Sequence, residues 1–163
     1  MPDPSAPTSA TPFDDGKVSY AIFELARAHR GFASTLLRQL SLHPGQELIL
    51  MHLHQRDGQT QSELVESVGV DHSTMSKALR RMQVTGLLTR EPAAHDRRVS
   101  INRLTAKGDA MREPIAAMWR ELEEVTTRNL TPEAATSLLR SARTIIDSIN
   151  TRDESANSSD SDR

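Results

Sequence analysis

Residues 60–105 constrain this chain most: two short helical patterns are followed at once by a basic strand, turn and strand, an order that few folds accommodate. In the first pattern Thr60 stands as an N-cap with Glu63 three residues on, the spacing of a capping box. Leu64, Val65 and Val68 then face inward, and Gly69 ends the helix because glycine tolerates the left-handed backbone of a tight exit. Asp71 caps the second helix, where Met75, Leu79 and Met82 recur at three- and four-residue spacing and make one buried stripe. Gly86 breaks that helix. Residues 87–91 and 99–104 read as short strands joined by Pro92-Ala-Ala-His-Asp-Arg-Arg.

Helix, glycine turn, helix and hairpin in this order are the layout of a winged helix-turn-helix, so the expected fold is mainly α with a small β-hairpin wing. The polar side of the second helix carries His72, Ser73, Thr74, Ser76, Lys77, Arg80 and Arg81. Their hydroxyl and cationic donors are the kind that meet base edges and phosphates in a major groove. The bland alternatives are a solvated face for the cations and helix capping for the hydroxyls. In the wing, Asp96, Arg97 and Arg98 close the loop. If Asp96 and Arg98 continue the second strand, the period of two puts them on one face, where the carboxylate would orient the guanidinium for a minor groove.

The net charge of −2 argues against a polyanionic partner only if charge is spread evenly. It is not: residues 71–103 hold seven Lys/Arg against three Asp/Glu, a local +4 that leaves −6 elsewhere. With 3% aromatic residues a stacking surface for single strands is disfavoured, so duplex is the better fit. The absence of cysteine excludes a disulfide, a thiolate zinc site and a thiol redox switch. There is no phosphate-cradling glycine loop or metal-ligand cluster, and His52 and His54 diverge on a helix, so neither an enzyme nor a metal or cofactor is expected. No apolar run approaches the roughly 20 residues of a membrane span, and the start lacks a basic-then-apolar signal, so a cytoplasmic location is expected.

Around the central module, residues 1–15 and 151–163 read by composition as disordered tails. One helix is expected over about residues 18–40 and another from Pro44 to about Gln55. After the wing, Thr105 should cap a long helix through Met111, Ile115, Met118, Leu122 and Val125, kinked at Pro114. A last helix starts at Thr131-Pro-Glu and runs through Leu138, Ala142, Ile145 and Ile149, widened by Leu139 and Ile146. The expected organisation is a tail, a dimerisation helix at 16–42, the winged module at 43–104, dimerisation helices at 105–150 and a tail. At 163 residues with 36% hydrophobic content, the flanking helices form a thin layer unless a second copy covers them, so a homodimer is expected.

The chain resembles the MarR (multiple antibiotic resistance regulator) family through Gln61-Ser-Glu-Leu, Val70-Asp-His-Ser-Thr-Met-Ser, Gly86-Leu-Leu-Thr-Arg, Asp96-Arg-Arg and Leu104-Thr-Ala-Lys-Gly, in family order and spacing. The resemblance extends more loosely from about Lys17 to Asn150. It implies a dimeric transcription regulator, most often a repressor, whose terminal helices intertwine and whose two winged modules meet a pseudo-palindromic operator in double-stranded DNA. It also implies that Ser73, Thr74 and Ser76 contact DNA and that Arg98, two after Asp96, enters the minor groove in preference to Arg97. A thiol-based peroxide sensor, known in this family, is excluded here.

The family further binds small molecules between the first helices, the helix before the recognition unit and the long helix after the wing. His29 interrupts the apolar stripe of Val18, Ile22, Leu25, Phe32 and Leu36. Most such histidines are core or interface residues, but with Arg27 or Arg30 it is a candidate to hold an anionic aromatic effector. The rival to the whole reading is a winged-helix protein-interaction module in a larger assembly.

Overall fold

The computed structural model describes residues 14–94, 96 and 98–160. After a 3-10 turn at Asp14–Gly16, α1 spans Lys17–Gln39 and α2 spans Gln46–Gln55. Then come β1 at Gln59–Thr60, α3 at Gln61–Val68, α4 at His72–Val84, β2 at Leu88–Pro92 and β3 at Ser100–Leu104. Three helices follow: α5 at Ala106–Asp109, α6 at Arg112–Thr127 and α7 at Pro132–Asp160. The chain divides into two compact units, residues 1–122 and 123–163. All but the last two residues of the expected N-terminal tail, 1–15, lie outside the described residues.

In the first unit, Leu36, Leu37, Ile49, Leu50, Leu53, Leu64, Met75, Leu79, Met82, Leu88, Ile115, Met118 and Leu122 form one buried cluster. The stripes read from α3 and α4 are its centre: Leu64, Met75, Leu79 and Met82 are each fully buried, and Val65 and Val68 pack half-buried against them. Domain boundaries expected at 42/43 and 104/105 fall inside this cluster, because the inner ends of α1 and α6 supply part of the winged module's own core.

The wing hairpin pairs β2 with β3 antiparallel, with Leu88 opposite Leu104 and Arg90 opposite Asn102. A third strand, β1, pairs with the other edge of β3, so the sheet order is β1-β3-β2. Sequence gave no sign of β1, which is two polar residues with no apolar alternation. Side chains hold it: buried Gln59 donates to the His52 and Arg56 carbonyls at 2.9 and 2.7 Å, and Asn102 donates to the Gln59 carbonyl at 2.9 Å.

Three helix limits differ from expectation. α2 begins at Gln46, not at Pro44, because Gly45 takes a left-handed φ of 93° as the N-cap, and the Gln46 and Glu47 side chains accept from the His43 and Gly45 N–H groups. The long helix after the wing is broken before Pro114 rather than kinked at it. Proline gives no N–H to the carbonyl four residues back and its ring crowds that carbonyl, which is Ala110, where α5 has ended and α6 has not begun. In the second unit, α7 continues to Asp160, past Thr151 where a tail was expected. No glycine or proline follows Pro132, so no residue enforces a stop.

Candidate nucleic-acid interface

The helix-turn-helix is set by its caps. Thr60 Oγ1 accepts the Glu63 N–H at 3.2 Å while Glu63 Oε2 accepts the Thr60 N–H at 2.7 Å, a complete capping box. That backbone donor first, then the Thr60 hydroxyl and Arg56, lower the Glu63 carboxyl to a pKa of about 2. Gly69, at φ 73°, closes α3 in the left-handed conformation. Asp71 opens α4, accepting the Thr74 hydroxyl at 2.6 Å and the Thr74 N–H at 2.8 Å, and these two bonds hold its carboxyl below the ordinary range. With Met75, Leu79 and Met82 anchored in the core, His72, Ser73, Thr74, Ser76, Lys77, Arg80 and Arg81 are all exposed. Thr74 therefore caps the helix and stands on the exposed face at once.

Ion pairing within the chain does not neutralise this face. Arg27, Arg56, Arg103, Arg112, Arg120 and Arg128 each pair with a carboxylate. Among the described residues Lys77, Arg80, Arg81 and Arg98 pair with none; Arg30, Arg38, Arg90, Lys107, Arg140 and Arg143 are also without a carboxylate, but Lys77, Arg80 and Arg81 stand together on α4 beside its row of exposed hydroxyls. Cations left unneutralised on one face of a protein of net charge −2 are placed for an external anion.

In the wing, β3 begins only at Ser100, so Asp96 and Arg98 lie in the loop and the expected strand alternation does not apply to them. The Asp96 carboxylate accepts the Arg98 backbone N–H at 2.9 Å, and the Asp96 carbonyl accepts the Val99 N–H at 3.0 Å. Asp96 shapes the turn that projects Arg98, acting on the backbone where orientation of the guanidinium was expected. Arg97 lies outside the described residues.

Between the starts of α3 and α4 and the wing is a cleft of about 280 Å³ lined by Thr60, Gln61, Ser62, His72, Arg90 and Arg98 among others. Gln61 bridges it, donating to the His72 carbonyl and accepting from Arg90, both at 3.3 Å. Buried Arg90 Nε has no partner among the described residues. Sequence reasoning missed Arg90 and Gln61 as site residues, although both lie in the segments that carried the family resemblance.

The Leu104-Thr-Ala-Lys-Gly segment buttresses the far end of α4. The Thr105 hydroxyl donates to the Gly86 carbonyl at 2.6 Å and caps α5 by accepting the Gly108 N–H at 3.1 Å. The Thr105 N–H reaches the Leu87 carbonyl at 3.2 Å, and Lys107 Nζ reaches the Thr85 carbonyl at 2.8 Å.

A second cleft, of about 420 Å³, lies between α2 and α6, lined by Met51, His54, Gln55, Arg112, Ile115, Ala116, Trp119 and Arg120. Its walls are mostly apolar, with two guanidinium groups at the edge. Arg27, His29 and Arg30 are not among its lining residues: His29 is half-buried on α1, Arg30 is exposed, and Arg27 donates to both Glu24 carboxylate oxygens at 3.1 Å. Two segments some sixty residues apart build this cleft, so no local pattern announced it.

The two helices, glycine turn and three-stranded wing define a winged helix-turn-helix protein. A model of the MarR family matches residues 34–99. The HTH-type transcriptional repressor NicR of Pseudomonas putida is 27% identical over 148 residues, covering 88% of this chain and 92% of its own. A mutant MarR from E. coli, solved in complex with operator DNA, superposes with a TM-score of 0.76 at 21% identity, over 83% of this chain and 99% of its own. Bordetella bronchiseptica BpsR, solved to explain regulation of its DNA binding by 6-hydroxynicotinic acid, gives 0.73 at 19% identity over 80% and 93%. Over residues 34–99 the chain is thus similar to the MarR family, and its fold is similar to those of solved MarR-type winged helix-turn-helix proteins. Among the described residues no helix is long and apolar enough to cross a membrane.

Proposed function

We propose that the protein is a homodimeric, sequence-specific regulator of transcription that binds double-stranded DNA, acts as a repressor and is released by a small anionic aromatic effector. The observation that carries DNA binding is the row of unpaired cations and hydroxyls on α4 beside a wing that projects Arg98. In this reading α4 enters the major groove with His72, Ser73, Thr74, Ser76, Lys77, Arg80 and Arg81. Arg98, aimed by Asp96, enters the minor groove, Arg97 contacts the flanking backbone, and Arg90, held by Gln61, meets a phosphate between the two.

Exposed apolar side chains support the dimer in each unit separately: Val18, Ile22, Phe23 and Leu25 on α1, and Leu138, Leu139, Ile146 and Ile149 on α7 are all at least 41% exposed. Apolar stripes of this extent on two helices are covered most simply by a second copy. The two-fold symmetry that follows calls for a pseudo-palindromic operator.

For the effector, the α2–α6 cleft fits better than the α1 trio of Arg27, His29 and Arg30. It is a mostly apolar cleft with an aromatic wall in Trp119 and the guanidinium groups of Arg112 and Arg120 among its lining residues, whereas Arg27, His29 and Arg30 are not among them. The relatives that include a repressor and a protein regulated by 6-hydroxynicotinic acid support this direction.

Fluorescence-polarisation titration of a duplex selected from random sequence, against scrambled duplex and across salt concentrations, tests the reading. The expected result is selective, salt-sensitive binding of two chains per site. Equal weak binding to both duplexes would overturn it in favour of a protein-interaction module.

A further inference from the structure

Helix α5 touches both regions that regulation must connect. On one side it is bonded to the end of the recognition helix, through the Thr105 hydroxyl to Gly86, the Thr105 N–H to Leu87 and the Lys107 ammonium to Thr85. Backbone packs on backbone there: a Cβ added to Gly108 would lie 3.0 Å from the Leu87 carbonyl carbon and closer still to its oxygen, so α5 cannot move toward residue 87 without pushing it, while these hydrogen bonds resist its moving away. On the other side, His54 Nε2–H donates to the Gly108 carbonyl at 3.0 Å, and Arg112 donates to the His54 carbonyl at 3.2 Å and to Asp109 at 3.4 Å. His54 and Arg112 both line the α2–α6 cleft. Between α5 and α6, Pro114 gives the Ala110 carbonyl no N–H, so the helix is interrupted where the two would otherwise move as one rod.

We propose that α5 is the coupler that carries occupancy of the α2–α6 cleft by a planar aromatic carboxylate to the recognition helix. Ligand contact at His54 and Arg112 displaces α5, and Thr105 and Lys107, as positioning residues, pass the displacement to residues 85–87. The proposal rests on the effector reading above and adds the route, which needs only elements bonded at both ends.

The test uses the full chain and requires neither ligand nor DNA in its first arm. Ala116→Phe, or Ala116→Met if the larger residue fails to fold, wedges the cleft without removing any α5 bond. Amide hydrogen exchange at residues 85–88 should quicken roughly 10-fold. The wedge's effect should fall below about 3-fold when Lys107→Met has removed the outer bond, a non-additivity that a merely structural lysine would not produce. His54→Gln, which keeps an N–H donor, should preserve the response and His54→Phe abolish it. Equal acceleration with and without Lys107→Met, or none in the native background, would overturn the coupler.

In the second arm, 6-hydroxynicotinate is titrated against the fluorescence of Trp119, the one tryptophan of the chain. Quenching with quickened exchange at 85–88, diminished by Lys107→Met at unchanged quenching, supports both readings. Absence of quenching would refute the effector reading for this chemistry alone, and the wedge still decides the coupler.

Discussion

Gly108 sits inside helix α5, where intrinsic propensity and tertiary packing make opposite predictions for replacement by alanine. Alanine is the better helix former by about 1 kcal/mol, and Gly108 has no left-handed backbone that would demand glycine. Propensity alone therefore makes Gly108→Ala stabilising. In the fold, the new methyl would lie within the van der Waals envelope of the Leu87 carbonyl oxygen, 3.0 Å from its carbon and 3.1 Å from Leu104 Cδ2. The first two obstacles are backbone and cannot rotate away. Overpacking of this kind costs about 1–3 kcal/mol. Relief by separation would stretch the Thr105 bonds to Leu87 and Gly86, each worth about 1 kcal/mol. Against the propensity gain, the net expectation is a loss of about 3 kcal/mol, seen in urea unfolding as a midpoint lowered by roughly 1–2 M at unchanged slope. Protein concentration must be matched, since association contributes to stability. Gly31→Ala is the control: Gly31 lies in α1, off the apolar stripe, and a Cβ there meets nothing within 4 Å, so up to about 1 kcal/mol of stabilisation is expected. A Gly108→Ala variant as stable as the native protein would refute the packing argument.

Two further predictions concern the interface. Arg98→Ala should leave the unfolding curve unchanged and weaken operator binding by about 1–3 kcal/mol, and unchanged affinity would remove Arg98 from the groove. Glu63 has a folded pKa of about 2 against an ordinary 4.5, so its capping contribution is complete above pH 4.5 and disappears as pH falls through 2. The stability difference between native protein and Glu63→Gln should accordingly shrink across that window, and a difference constant with pH would show that the carboxylate is not what caps α3.

The turn-forming and capping chemistry of this chain is local, and its sequence determined it unaided. Thr60 and Glu63, Gly69, Asp71 and the Met75, Leu79, Met82 stripe act over one or two helical turns, and each does in the structure what its spacing predicted. The polar row from His72 to Arg81 followed from the same periodicity, because burying one side of a helix exposes the other. The limit of this logic appears at Asp96 and Arg98, where a strand period was extended into a loop and the carboxylate turned to a backbone N–H instead.

What only the tertiary structure decided are features assembled from residues far apart in the chain. β1 exists because Asn102 and Gln59 meet across 43 positions. The α2–α6 cleft needs Met51 and His54 beside Trp119, and the buttress of α4 needs Lys107 against Thr85. Periodicity reports which face of an element is apolar, but not which distant element covers it. That choice is made by the packing of the whole core, and here it places the wing, the cleft and α5 around α4.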